Sequence, residues 1–79
     1  MNRVRIRLDT PTDVANFVLI TSKIDAKVYV TDGERLCIDG KSFLGLAHAK
    51  EFAKLYCECE KDIYTKIQHF VIEEDVIDE

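Results

Sequence analysis

Few side chains in this 79-residue chain are equipped for chemistry. The thiols are Cys37, Cys57 and Cys59, and the imidazoles are His48 and His69. Ser42 follows Gly40-Lys41 and precedes the apolar pair Phe43-Leu44, while Thr10 and Thr12 flank Pro11 between the carboxylates of Asp9 and Asp13. Cys57 and Cys59 form a C-x-C pair, a spacing that could hold a metal. They fall in the run Phe52–Cys59, however, which reads as a strand, and side chains two apart in a strand share a face. Two small core residues are the simpler account, because a four-ligand zinc site needs a second ligand pair that the sequence does not supply. No metal and no cofactor are expected. The imidazoles read as surface residues.

The elements that must position these groups follow from periodicity. Val4, Ile6 and Leu8 alternate with Arg3, Arg5 and Arg7, so a half-buried strand with an arginine face toward solvent is expected. Thr10-Pro11-Thr12-Asp13 opens a helix: Thr10 caps it, Pro11 suits its first position, and Asp13 completes a capping box and favours the positive end of the dipole. Along the helix Val14–Ile24, the residues Val14, Phe17, Val18, Thr21 and Ile24 make one apolar stripe, and Leu19 points the other way. Ala26–Thr31 and Arg35–Asp39 read as strands joined at the hairpin signal Asp32-Gly33. A three-residue loop, setting Val30 against Leu36 and Val28 against Ile38, keeps apolar residues on one face and is the expected register.

Ser42 can cap a short helix, Phe43–Ala49, a role worth ~1 kcal/mol. Glu51–Cys59 is the fourth strand, with Ala53, Leu55, Cys57 and Cys59 on one face and Phe52, Lys54, Tyr56 and Glu58 on the other. A last helix starts near Asp62, buries Ile63, Ile67, Phe70 and Val71, and turns Ile72 and Val76 outward. The acidic end, Glu73–Glu79, is expected to fray. The order is β-α-β-β-α-β-α, a single two-layer α+β domain over residues 1–79.

Size and charge narrow the function classes. A domain this small buries only ~60% of its unfolded surface, leaving no room for a deep substrate cavity, so function belongs on the surface. The net charge of −4 argues against sequence-independent nucleic-acid binding. An odd number of cysteines, no apolar signal region in the first residues and no apolar run near the ~18 residues of a membrane span fit a reducing cytoplasm.

The segment Gly40-Lys41-Ser42-Phe43-Leu44-Gly45-Leu46-Ala47 resembles the stretch around the regulatory serine of HPr, the histidine-containing phosphocarrier family of the sugar phosphotransferase system. It follows a hairpin and precedes a strand and a final helix, as in that family, and Ala15-Asn16-Phe17-Val18 is similar to the family's first helix. The resemblance covers about residues 3 to 72. It implies an open-faced β-sandwich: a four-stranded antiparallel sheet of order 1-4-2-3 with helices on one face. Family members accept phosphate from enzyme I on a histidine that opens the first helix and pass it to sugar-specific carriers.

At that place this sequence departs from the family. Aligned through Phe17-Val18, Thr10 stands at the histidine position and Thr12 at that of a phosphate-binding arginine. A threonine hydroxyl forms no labile phosphoramidate, and Asp9 and Asp13 repel an incoming phosphoryl anion. The resemblance thus implies a docking or regulatory protein without catalysis, whose partners are phosphotransferase-system components, a serine kinase or a transcription regulator. Ser42 matches the serine that a dedicated kinase phosphorylates in some members. The family's partner face falls on Ala15, Leu19, Phe43, Leu44 and Ala47. Two alternatives stay open: a carrier that uses another residue, such as Thr10 or His48, and an unrelated α+β domain of the same topology.

Overall fold

The computed structural model describes residues 2–49 and 54–72. The expectations for Phe52, Ala53 and Glu73–Glu79, Val76 included, lie outside the described residues. Strand β1 spans Asn2–Ile6, with Ile6 and the following Leu8 buried and Arg3 and Arg7 exposed. Helix α1 spans Pro11–Thr21, and its start has the expected chemistry. The Thr10 hydroxyl accepts the Asp13 N–H at 3.1 Å, and the Asp13 carboxylate accepts the Thr10 N–H at 3.2 Å. Val14, Phe17 and Thr21 are buried and Val18 is half-buried against the core. The helix ends three residues earlier than its apolar spacing suggests. Ile24 sits in the turn that follows, still buried, its N–H donating to the Thr21 carbonyl.

Strands β2 (Val28–Thr31) and β3 (Cys37–Asp39) form the hairpin, but in a register two residues from the expected one. Val30 stands opposite Ile38, not Leu36, and Thr31 opposite Cys37. The cause is Asp32. One carboxylate oxygen, Oδ1, accepts the N–H groups of Glu34, Arg35 and Leu36 at 2.9, 3.0 and 3.0 Å. Those donors are spent inside the loop, so the ladder cannot begin before Cys37. The same bonds hold the Asp32 carboxyl below its ordinary pKa. Gly33 turns with φ 87° beside the Tyr56 ring, a conformation that favours glycine. A slip of two residues preserves the side-chain faces, which is why the apolar side remains inward.

Helix α2 spans Phe43–Ala49 and strand β4 Leu55–Cys59. The sheet order is β1-β4-β2-β3, antiparallel at every pair. Ile6, Val28, Val30, Leu55, Cys57 and Cys59 face the helices and are buried with Phe17, Leu46, Ile63, Ile67 and Phe70. The other face is crossed by two rows set by the register: Arg5, Tyr56, Thr31, Cys37 and Arg3, Glu58, Tyr29, Asp39. Arg3 pairs with Glu58 at 2.6 Å and lies over the Tyr56 ring at 5.1 Å.

The last helix is shorter than the sequence suggests. Helix α3 spans Tyr64–Ile67 and tightens to a 3₁₀ turn, Gln68–Phe70, whose Phe70 ring meets Phe17 edge-on at 5.4 Å. Val71 is already extended. The Arg7 N–H donates to the Phe70 carbonyl and the Ile72 N–H to the Arg5 carbonyl, both at 2.9 Å, around an antiparallel bridge between Ile6 and Val71. Ile72 therefore does not sit on the outer side of a helix. The β-branched pair Val71-Ile72 follows the edge of β1 instead, where backbone partners are offered.

Candidate functional site

The segment from Asp39 to Gly45 is shaped by close packing. The Gly40 N–H donates to the Val28 carbonyl at 2.7 Å. A Cβ at Gly40 would come within 2.7 Å of Val28 Cγ1 and 3.0 Å of the Val28 carbonyl oxygen, so this approach admits only glycine. The buried Thr21 hydroxyl donates to the Gly40 carbonyl at 2.8 Å, and Lys41 Nζ donates to the Ile24 carbonyl at 2.7 Å. Lys41 also donates its N–H to Asp39 Oδ1. Ser42 caps α2 as expected: its hydroxyl accepts the Gly45 N–H at 3.2 Å and its carbonyl the Leu46 N–H at 3.0 Å. Gly45 lets α2 settle on β3, since a Cβ there would stand 2.7 Å from Ile38 Cγ2.

On this pinned helix, Leu46 and Ala49 turn fully inward, while Leu44 is 75% and Phe43 41% exposed. Leu19 on α1, which packs against α2, is 61% exposed. Ala15 and Ala47 are half-buried. Ala15 and Leu19, and likewise Phe43 and Ala47, are four apart and share a face of their helices. Large apolar side chains at such exposure suit burial against another protein surface, and no charge chemistry is available to them.

The start of α1 offers different chemistry. Thr10 and Thr12 are exposed, but the Thr10 hydroxyl is engaged as the cap, and Asp13 Oδ2 folds back to accept the N–H groups of Asp9 and Thr10. A carboxylate thus stands at the positive end of α1, where its charge opposes an incoming anion. Beside the cap runs a shallow groove lined by Arg7, Asp9, Asp13, His69, Phe70, Val71 and Ile72. Arg7 approaches Asp9 at 3.7 Å, and the His69 ring stands edge-on to Phe70 at 5.2 Å. Nothing local in the sequence signals that His69 belongs near this helix start. The turn of chain after α3 brings it there. His48 is exposed in the last turn of α2.

Cys57 and Cys59 are buried, facing Val30 and Val28 across the ladder. Burial, with lesser effects of Cys59 and Glu58, pushes the Cys57 thiol up to about 12, so it stays protonated and poorly nucleophilic at neutral pH. Cys37 is exposed on β3. Among the described residues, no three His, Cys, Asp or Glu side chains are grouped to hold a metal ion, and no helix is long and apolar enough to cross a membrane.

No protein-family model, no curated protein and no solved structure matches the chain.

Proposed function

We propose that this chain is an HPr-like docking protein related to the sugar phosphotransferase system that carries no phosphoryl group itself. Its working surface is the outer side of α1 and α2, with Leu19, Phe43 and Leu44 as anchors and Ala15 and Ala47 between them. The observation that carries the reading is the closed cap of α1. Where a carrier would present an imidazole, Thr10 spends its hydroxyl on the Asp13 N–H, and the Asp13 carboxylate folds back onto the N–H groups of Asp9 and Thr10, leaving negative charge at the helix start. What remains exposed is apolar surface suited to contact. Phosphorylation of Ser42 would add about −1.5 to −2 charge at the rim of that surface, placed on the positive end of a helix and therefore tolerated by the fold. A serine kinase and a transcription regulator are the partner classes that the resemblance adds.

One observation favours a second reading, phosphoryl acceptance on an imidazole. His69 shares a groove with Arg7, an arrangement that could offer a nucleophile and a cation together, although Asp9 and Asp13 line the same groove. A single experiment separates the two. The protein is incubated with enzyme I and labelled phosphoenolpyruvate, then titrated with enzyme I and sugar-specific carriers while backbone amides are followed by NMR. The docking reading expects no acid-labile label and shifts concentrated at Leu19, Phe43 and Leu44. Stoichiometric acid-labile label, lost in His69→Ala, would establish the second reading. No shift with any component would discard the docking reading.

A further inference from the structure

Strand β3 ends the sheet: β2 pairs with it on one side, and among the described residues no strand pairs with it on the other. The Gly40 N–H donates to the Val28 carbonyl, so Gly40 turns toward β2. In an antiparallel ladder the backbone direction repeats every two residues. Ile38 therefore faces β2 as well, and Cys37 and Asp39 aim their backbone groups at the open edge. The Asp39 carbonyl already accepts the Ser42 N–H at 3.0 Å, and the Arg35 N–H is spent on Asp32. What the edge offers is the N–H and C=O of Cys37 and the N–H of Asp39.

We propose that a second copy of this chain occupies that edge, β3 against β3, antiparallel about a two-fold axis with Cys37 opposite Cys37. The charge pattern names the occupant, because Arg35-Leu36-Cys37-Ile38-Asp39 is complementary to its own reverse. In this register Arg35 of each copy comes opposite Asp39 of the other, giving two attractive pairs of exposed charges. Leu36 comes opposite Ile38, and both are half-buried apolar residues packed against the core. The two Cys37 residues exchange their N–H and C=O bonds. At the next step, the groups that would pair are the Arg35 N–H and the Asp39 carbonyl, which are the two already satisfied within each copy, so none is stranded. Charge also sets register and direction. A slip of two residues either way separates both Arg–Asp pairs, and a parallel arrangement brings like charges together. A strand of three residues buries little area, so the dimer is weak, with a Kd on the order of 0.1–1 mM.

This inference does not rest on the docking function proposed above, and its test contains no other protein. Sedimentation equilibrium on the whole chain, from about 10 μM to about 2 mM at low salt, should show mass rising toward that of a dimer. Arg35→Glu sets like charges opposite Asp39, and Asp39→Lys sets them opposite Arg35, so each alone should weaken association at least ~10-fold. Mixed in equal amounts, these two variants face each other with both pairs attractive again, and association should return. A short bismaleimide should join Cys37 to Cys37 in wild type and in the mixture, and not in either variant alone. Because Asp39 also accepts the Lys41 N–H, Asp39→Asn is included: it keeps that acceptor, removes the charge and should weaken association ~3-fold. Wild type that stays monomeric throughout the range would overturn the proposal. So would association unchanged in Arg35→Glu and Asp39→Asn, or a mixture of folded variants that fails to associate.

Discussion

The Thr21 hydroxyl donates to the Gly40 carbonyl at 2.8 Å across 19 positions of sequence, tying the end of α1 to the loop that launches α2. The bond is buried, so its loss leaves a desolvated carbonyl. Thr21→Val keeps the shape and removes the donor, and should cost about 1–3 kcal/mol in denaturant unfolding. Thr21→Ser should recover most of that loss. Equal midpoints for Thr21→Val and wild type would show that the bond contributes nothing net.

Gly45→Ala should reverse the usual helical preference. In an exposed helix alanine is the better former by about 1 kcal/mol. Here the added Cβ meets Ile38 Cγ2 at 2.7 Å, and overpacking of this kind costs about 1–3 kcal/mol. Thermal unfolding should show a lower midpoint for Gly45→Ala, and Ile38→Ala in the same chain should restore part of it. A midpoint above wild type in the single variant would mean that α2 moves freely off β3.

Phe43→Glu and Ser42→Asp should separate docking from folding. Phe43 is 41% exposed, and aspartate caps helices as well as serine does. Both variants should stay within about 0.5 kcal/mol of wild-type stability. Phe43→Glu should weaken binding to a cognate carrier at least ~10-fold, and Ser42→Asp should change it in the direction set by the partner's charge. Unchanged affinity in both, with unfolding midpoints intact, would move the working face elsewhere.

Thiol chemistry should divide the cysteines. At pH 8 in the folded protein a maleimide should label Cys37 and spare Cys57 and Cys59, and rapid labelling of all three would contradict the burial. The alkaline limb of stability has a defined sign. Cys57 binds its proton more tightly when folded, with a pKa raised from 9.0 to about 12. Its contribution is therefore fully present below about pH 9 and is lost as the pH climbs toward 12. Urea midpoints measured from pH 8 to 11 should fall more steeply in wild type than in Cys57→Ala.

Where an element is governed by neighbours in sequence, its residues announce it. Thr10, Pro11 and Asp13 define the start of α1, Ser42 defines that of α2, and alternation sorts the faces of β1 and β4. The strand order came from the family likeness, because no local pattern states which strands are neighbours. Two local readings failed for identifiable reasons. Asp32 collects three N–H groups and lengthens the hairpin loop, an effect invisible to a count of apolar residues. Val71 fits the helical stripe of Ile63, Ile67 and Phe70, yet β1 offers it backbone partners that only the assembled sheet can provide. At the candidate site, the outward position of Leu19 was legible from helical spacing, while Phe43 and Leu44 were marked by the family likeness. The placement of His69 beside the α1 cap was not, since it depends on how the end of the chain turns.

Helix α2 has seven residues, too few to hold itself together in water. It owes its shape to the bonds that Thr21, Lys41 and Ser42 make around its first turn, and to Gly45 seated on Ile38. Phe43 and Leu44 project from that secured end. A protein that binds them meets a surface whose ordering entropy was spent when the domain folded, so the affinity lost to immobilising the helix is small. Loosening the stitches with Thr21→Val would carry the same apolar atoms on a floppier support, and the penalty would then appear in the entropy of association rather than in any missing contact.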